Sequence, residues 1–186
     1  MKNTAKLLPC LLSAVLVGMS APAVMASQLF PDQENRVAIS ASWSAVYLGP
    51  IGQEFVPDNS TLDVVELFVA NVDPSSPFAS DLEVNIREGS MAGRVLGTSS
   101  PVSAPFGSSG VAHFDFPGSV SLVPGSIYVI ELVVPPDGGN VAVGGGWTSS
   151  YLPGCLIVQG QLVPQTDNSD LWFREGTHRH AGRKGR

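Results

Sequence analysis

The residues able to do chemistry are few. The body of the chain has one histidine, His113, in "VAHFDF". Strand alternation places His113 and Asp115 on one face and Phe114 and Phe116 on the other. A His and an Asp two apart on a strand can orient a general base, the arrangement a hydrolase would need. The spacing favours a plainer reading, a solvent-facing pair on a half-exposed strand. No G-x-S-x-G nucleophile turn accompanies it. Glu66, Glu83, Glu88 and Glu131 could be paired in many ways as glycosidase carboxylates, and their positions describe ordinary strand-surface charge.

Calcium asks for several oxygen ligands on an irregular loop. "PQTDNSD" offers Asp167, Asn168 and Asp170, and "PDQEN" offers Asp32, Glu34 and Asn35. Neither has EF-hand spacing, and both also read as polar turns. Sugar binding asks for aromatic faces with hydrogen-bonding groups beside them. "GGGWTSSYLPG" reads as a mobile glycine run presenting Trp147 and Tyr151, with Asp137 and Asn140 close in sequence; Trp43 is a further aromatic. A glycan site built on Trp147, Tyr151, Asn140 and Asp137 is therefore expected, against the alternative that Trp147 plugs the core at a strand end. Trp172, between Leu171 and Phe173 in the last strand, reads as core. His178 and His180 flank Arg179 in a polar, basic end, where two histidines are a weak metal pair at most.

Those residues need elements to position them. Runs of β-branched and aromatic residues recur between turn signals: "QEFVP", "TLDVVELFVANV", "LEVNIRE", "RVLGTS", "VAHFDF", "SIYVIELVV", "NVAVGG", "CLIVQG" and "DLWFRE". Breakers separate them at "DPSSP", "PGS" and "PPDGGN". About eight or nine strands at regular spacing predict an all-β, antiparallel, jelly-roll-like sandwich over residues 27–176. "TLDVVELFVANV" predicts a strand with a bulge or bend, and "SIYVIELVV" either a central strand covered on both faces or one bent at an edge. Arg87-Glu88-Gly89 and Arg174-Glu175-Gly176 both read as strand ends, with an Arg-Glu pair at the sheet margin and Gly allowing the bend.

Residues 1–26 read as a cleaved secretory signal: Lys2 and Lys6, an apolar run over Leu7 to Met19, then "APAVMA" with small residues before the cut. Cys10 lies inside that run, so no lipid anchor is read, and no second stretch is apolar enough to span a membrane. All 16 acidic residues fall between Ser27 and Gly176, against Arg36, Arg87, Arg94 and Arg174. Such a body repels nucleic acid and anionic membranes. Cleavage leaves Cys155 without a partner, in an apolar context that favours burial. Residues 177–186 read as a basic disordered tail.

"PIGQEFVP", "TLDVVELFVAN", "LEVNIREGSMAGRVLGTSSPVS", "GVAHFDFPGSVSLVPGSIYVIELVV" and "DLWFREGT" together resemble a jelly-roll domain of secreted bacterial proteins that often carry a PEP-CTERM-type sorting tail. The domain is of carbohydrate-binding-module or galactose-binding-like kind. The resemblance implies extracellular or cell-surface binding rather than a reaction; a polysaccharide or another surface component is the expected partner, and no cofactor is expected other than calcium on the polar loops. "YLPGC" departs from the Pro-Gly-Gly loop expected after a tyrosine, and the basic end departs from an apolar sorting segment. The expected function is a secreted, non-catalytic glycan-binding module. The alternative is a structural matrix or cell-surface protein acting by self-association, through an exposed edge strand or a Cys155-linked dimer. A hydrolase using His113 and Asp115 is the weaker alternative.

Overall fold

A computed structural model describes residues 29–72, 79–148 and 151–178. The expected signal segment, the "DPSSP" turn and His180 lie outside the described residues. The described residues form fourteen strands: β1 (Leu29–Asn35), β2 (Ala41–Ser44), β3 (Ile51–Phe55), β4 (Thr61–Asn71), β5 (Ser80–Glu88), β6 (Val95–Thr98), β7 (Val102–Ala104), β8 (Ser109–Ser121), β9 (Tyr128–Val133), β10 (Val141–Gly146), β11 (Leu156–Val158), β12 (Gln161–Leu162), β13 (Asp170–Leu171) and β14 (Phe173–His178). A single helical turn, α1 (Ala45–Leu48), links β2 to β3. Every pairing is antiparallel. One sheet, A, runs β1-β14-β4-β10-β13, with β8 on β4 and β2 on β10; the other, B, runs β12-β11-β3-β9-β5-β6, with β7 on β5.

The two sheets pack face to face, and alternation decides which side chains lie between them. On β5, Leu82, Val84 and Ile86 are fully buried while Glu83, Asn85 and Arg87 point outward. On β8, Phe114 and Phe116 enter the core, which leaves His113 and Asp115 outside. β9 is central, between β3 and β5, and buried along most of its length. The expected irregularity in β4 is a register break between Leu62 and Val64, where the β8 segment Phe116–Ser119 loops out opposite Asp63.

The strand count exceeds the expected eight or nine because five strands carry weak local signals. β1 contains Pro31 and mostly polar residues, tolerable because it is an edge strand paired only with β14. β2, β7 and β12 have four residues or fewer. "DLWFRE" divides at Trp172 into β13 on β10 and β14 on β4; Leu171 and Phe173 are buried, and Trp172 itself is half-buried. The last strand runs through His178, so Thr177 and His178 belong to sheet A, not to a tail. The second Arg-Glu-Gly is consequently interior to β14. Its Arg174 faces outward, but Glu175 faces the core and is fully buried.

Buried amides tie the sheets together. Gln53 on β3 of sheet B has no solvent exposure. Its Nε2 donates to Asp170 Oδ1 at 2.8 Å, and its Oε1 accepts the Leu171 N–H at 2.9 Å, both on β13 of sheet A. Asn35 Nδ2 then donates to the Leu171 carbonyl at 2.7 Å. At the other end, Asn71 Nδ2 on β4 donates to the Ala104 carbonyl on β7 at 2.9 Å. Gln53→Leu keeps a side chain of similar size but takes the acceptor from the buried Leu171 N–H and one donor from the Asp170 carboxylate. It should cost about 3 kcal/mol of unfolding free energy, measured as a lowered urea midpoint at unchanged slope.

Candidate functional site

The expected glycan residues divide between opposite ends of β10. Asn140 precedes the strand and accepts a hydrogen bond from Ser44 Oγ; Asp137 lies in the preceding turn. Trp147 follows the strand at its other end. The six residues of β10 separate Asn140 from Trp147, about 23 Å over seven steps at the usual rise. The four residues therefore do not converge on one ligand.

The glycines before Trp147 are not a mobile run. Gly144, Gly145 and Gly146 are buried within β10 because neighbours come too close for a side chain. A Cβ on Gly145 would lie 2.1 Å from the Asp170 carbonyl oxygen and 2.8 Å from the Trp43 ring, and one on Gly146 would lie 2.6 Å from Val37. The inward row Val141, Val143, Gly145 continues into Trp147, which leaves the end of the sandwich. Its indole is 53% exposed and stands edge-on to buried Trp43, with ring centroids 5.5 Å apart and planes at 61°. Trp147 is thus neither enclosed in the core nor loose, but a braced aromatic at a strand end.

Tyr151 lies nearer the interior. Its ring meets Phe173 edge-on at 5.0 Å, and burial pushes its phenol well above the ordinary range, with Glu175, Asp170 and Asp32 adding to the effect. It lines a cleft of about 110 Å³ with Leu152, Cys155, Val163, Asn168 and Asp170, below the size of most small-molecule sites. Cys155 is half-buried and unbonded to another cysteine. Burial, then the charges of Glu54 and Asp170, push its thiol up, which disfavours the reactive thiolate. Of the expected calcium ligands, Asp167 is exposed on a short 3-10 turn, Asn168 takes a left-handed conformation (φ 49°), and Asp170 is buried with its carboxylate bonded to Gln53.

The outer face of sheet A holds a larger constellation. Glu34, Arg174, Glu66 and His113 are successive cross-strand partners on β1, β14, β4 and β8. Arg174 Nε and Nη1 donate to Glu34 at 3.3 Å and to Glu66 Oε2 at 2.9 Å. His113 Nδ1 lies 3.1 Å from Glu66 Oε1, and His113 Nε2 lies 3.1 Å from Asp115 Oδ1. His178 Nε2 reaches the same Asp115 oxygen at 2.9 Å. The His178 N–H donates to Asp63 Oδ2 at 3.3 Å, and Ser119 Oγ donates to Asp63 Oδ1. Both nitrogens of His113 thus face carboxylates, whereas a Ser-His-Asp base must present one nitrogen to its nucleophile. His113 and Asp115 were legible as a pair; His178, Glu66 and Arg174 join them only through sheet register.

No family model matches the chain, and a search of curated proteins found no match.

The inward-facing Glu175 sets a pH dependence. Both carboxylate oxygens are buried and neither makes a hydrogen bond of ordinary geometry, with the Gln33 N–H and the Asp32 carboxyl group close by. Burial first, then the nearby Asp32 charge, raises its pKa to about 8 from 4.5. The folded chain therefore holds a proton that the unfolded chain releases between these values. By linkage, stability falls as pH rises through the window from 4.5 to 8, by at most about 1.4 kcal/mol per pH unit from this group. Chemical denaturation at pH 5 and pH 8 should show the wild type weaker at pH 8, and Glu175→Gln should remove most of that difference.

Proposed function

We propose that the chain is a secreted, non-catalytic binding module for an extracellular glycan, with Trp147 as its stacking platform. The observation that carries this reading is the half-exposed indole of Trp147, held edge-on by Trp43. An aromatic face in water, braced by a second aromatic on a paired strand, can stack on a sugar ring with little ordering cost. Tyr151 and the small cleft lie toward the same end of β10 and would flank a chain laid across Trp147. Asn140 and Asp137 are not part of this site.

Self-association has weaker support. β8 is a long edge strand, but Pro117 and Gly118 interrupt it, and the Ser100 N–H already donates to the Asp115 carbonyl at 2.7 Å on that edge. The raised thiol of Cys155 also disfavours a disulfide-linked dimer.

Pull-down on insoluble polysaccharides, followed by calorimetry on soluble fragments, should detect glycan binding. Trp147→Ala should weaken it at least tenfold, with the thermal midpoint little changed because the side chain is half in water. Equal binding by wild type and Trp147→Ala, or none by either, would sink the proposal. A concentration-dependent oligomer by size exclusion, together with no glycan binding, would favour assembly instead.

A further inference from the structure

The outer-face cluster of sheet A has the donor set and arrangement of a cation site. A neutral imidazole carries one N–H and one lone pair. When His113 gives its Nδ1–H to Glu66, its Nε2 lone pair faces the Asp115 carboxylate, and His178 Nε2 closes on the same oxygen from β14. Acceptors converge on one point. The surroundings add to this charge: Glu66 and Glu34 lie along the cross-strand row, with Arg174 as the cation paired to both, and Asp63 accepts the backbone N–H of His178.

From this geometry we infer that His113 Nε2, His178 Nε2 and the Asp115 carboxylate form a site for a divalent first-row transition ion, of which Zn²⁺ is the natural probe. Among the described residues this is the one group of three His, Cys, Asp or Glu side chains whose ligand atoms all lie within 4.8 Å of one another. Zinc bonds of 2.0–2.1 Å in a tetrahedron put neighbouring ligand atoms about 3.3 Å apart. The two histidine–aspartate separations, 3.1 and 2.9 Å, are within a few tenths of an ångström of that edge. Two imidazoles and one carboxylate suit Zn²⁺ better than the all-oxygen demand of Ca²⁺ or Mg²⁺. Glu66 supplies the outer contact typical of a ligating histidine: it fixes the His113 tautomer and ring plane, and Arg174 holds Glu66 in turn. Three protein ligands leave a coordination position open to water or to an oxygen of a bound molecule. The cluster lies on β8 and β14, not at the Trp147 end of β10, so this inference stands independently of the glycan reading.

The test uses the full chain without an affinity tag, stripped with chelator and titrated with Zn²⁺ by calorimetry, with Co²⁺ absorption reporting coordination. One ion per chain should bind, and the thermal midpoint should rise with free Zn²⁺. Asp115→Ala and His178→Ala should each weaken binding at least about thirtyfold, and Glu66→Gln by about tenfold. Asp115→Asn and His178→Gln serve where an alanine variant loses its far-UV spectrum. His180→Ala should bind as the wild type does. Absence of Zn²⁺ binding would reduce the cluster to a hydrogen-bonded network, and unchanged affinity in the Asp115 variants would equally overturn the site. Loss of binding in His180→Ala alone would place the ion on the chain end instead.

Discussion

Gln53 is the interaction on which the arrangement of the two sheets depends. Apolar burial makes the sheets pack, but it is non-directional and tolerates sliding. One amide reaching from β3 to β13 is not tolerant. It satisfies a backbone N–H and a buried carboxylate together, with partners in fixed positions. Misplacing it by one residue would leave at least two buried polar groups unmet. Asn71 does the same work at the far end through Ala104, and Asn35 binds the Leu171 carbonyl from the edge strand. The core contributes most of the stabilisation, and these amides select one register for it.

That polar layer has a consequence on its own side of the sandwich. Asp170, Glu175 and Tyr151 all lie near the β13–β14 crossing, where sheet A changes partners from β10 to β4. A strand that divides there cannot fill the interior with aliphatic side chains alone, since Leu171 and Phe173 are separated by a residue turned away. Asp170 is met by Gln53; Glu175 has no amide opposite it, and burial favours its protonated form. The two carboxyl groups sit five residues apart on the same side of the sandwich, and only Asp170 has the Gln53 amide opposite it.

What the sequence made legible follows from what is local. Alternation on "LEVNIRE" and "VAHFDF" assigned inside and outside correctly, because each strand has one covered face and a period of two. β1 was illegible because an edge strand needs no apolar face of its own: its partner β14 does the burying. The glycines of β10 were legible as a pattern and misread as freedom. Their reason is the Asp170 carbonyl, Trp43 and Val37, all remote in sequence. The same limit applies to chemistry. His113 and Asp115 are two residues apart and visible as a pair, whereas His178 reaches them across β4 from a segment that read as tail.

The two candidate sites both fall on sheet A, and packing explains why. On sheet B the outer face of the central strands is closed: the turn after β5 lays Met91 over Gly52 and Val129, and Arg87 and Asn85 hold Glu131 down at 2.7 and 2.8 Å. On sheet A the segment Val37–Ile39 covers β10 from outside; it leaves no room for a side chain at Gly146 and, together with Phe68 of β4, none at Gly144. That cover does not extend to β14, β4 and β8. There the outward Glu34, Arg174, Glu66, His113 and Asp115 remain in reach of water, so charge can accumulate among them. Trp147 escapes differently, by following an inward row past the end of its strand. One site is thus available because a sheet face was left uncovered, the other because a core row outran its sheet.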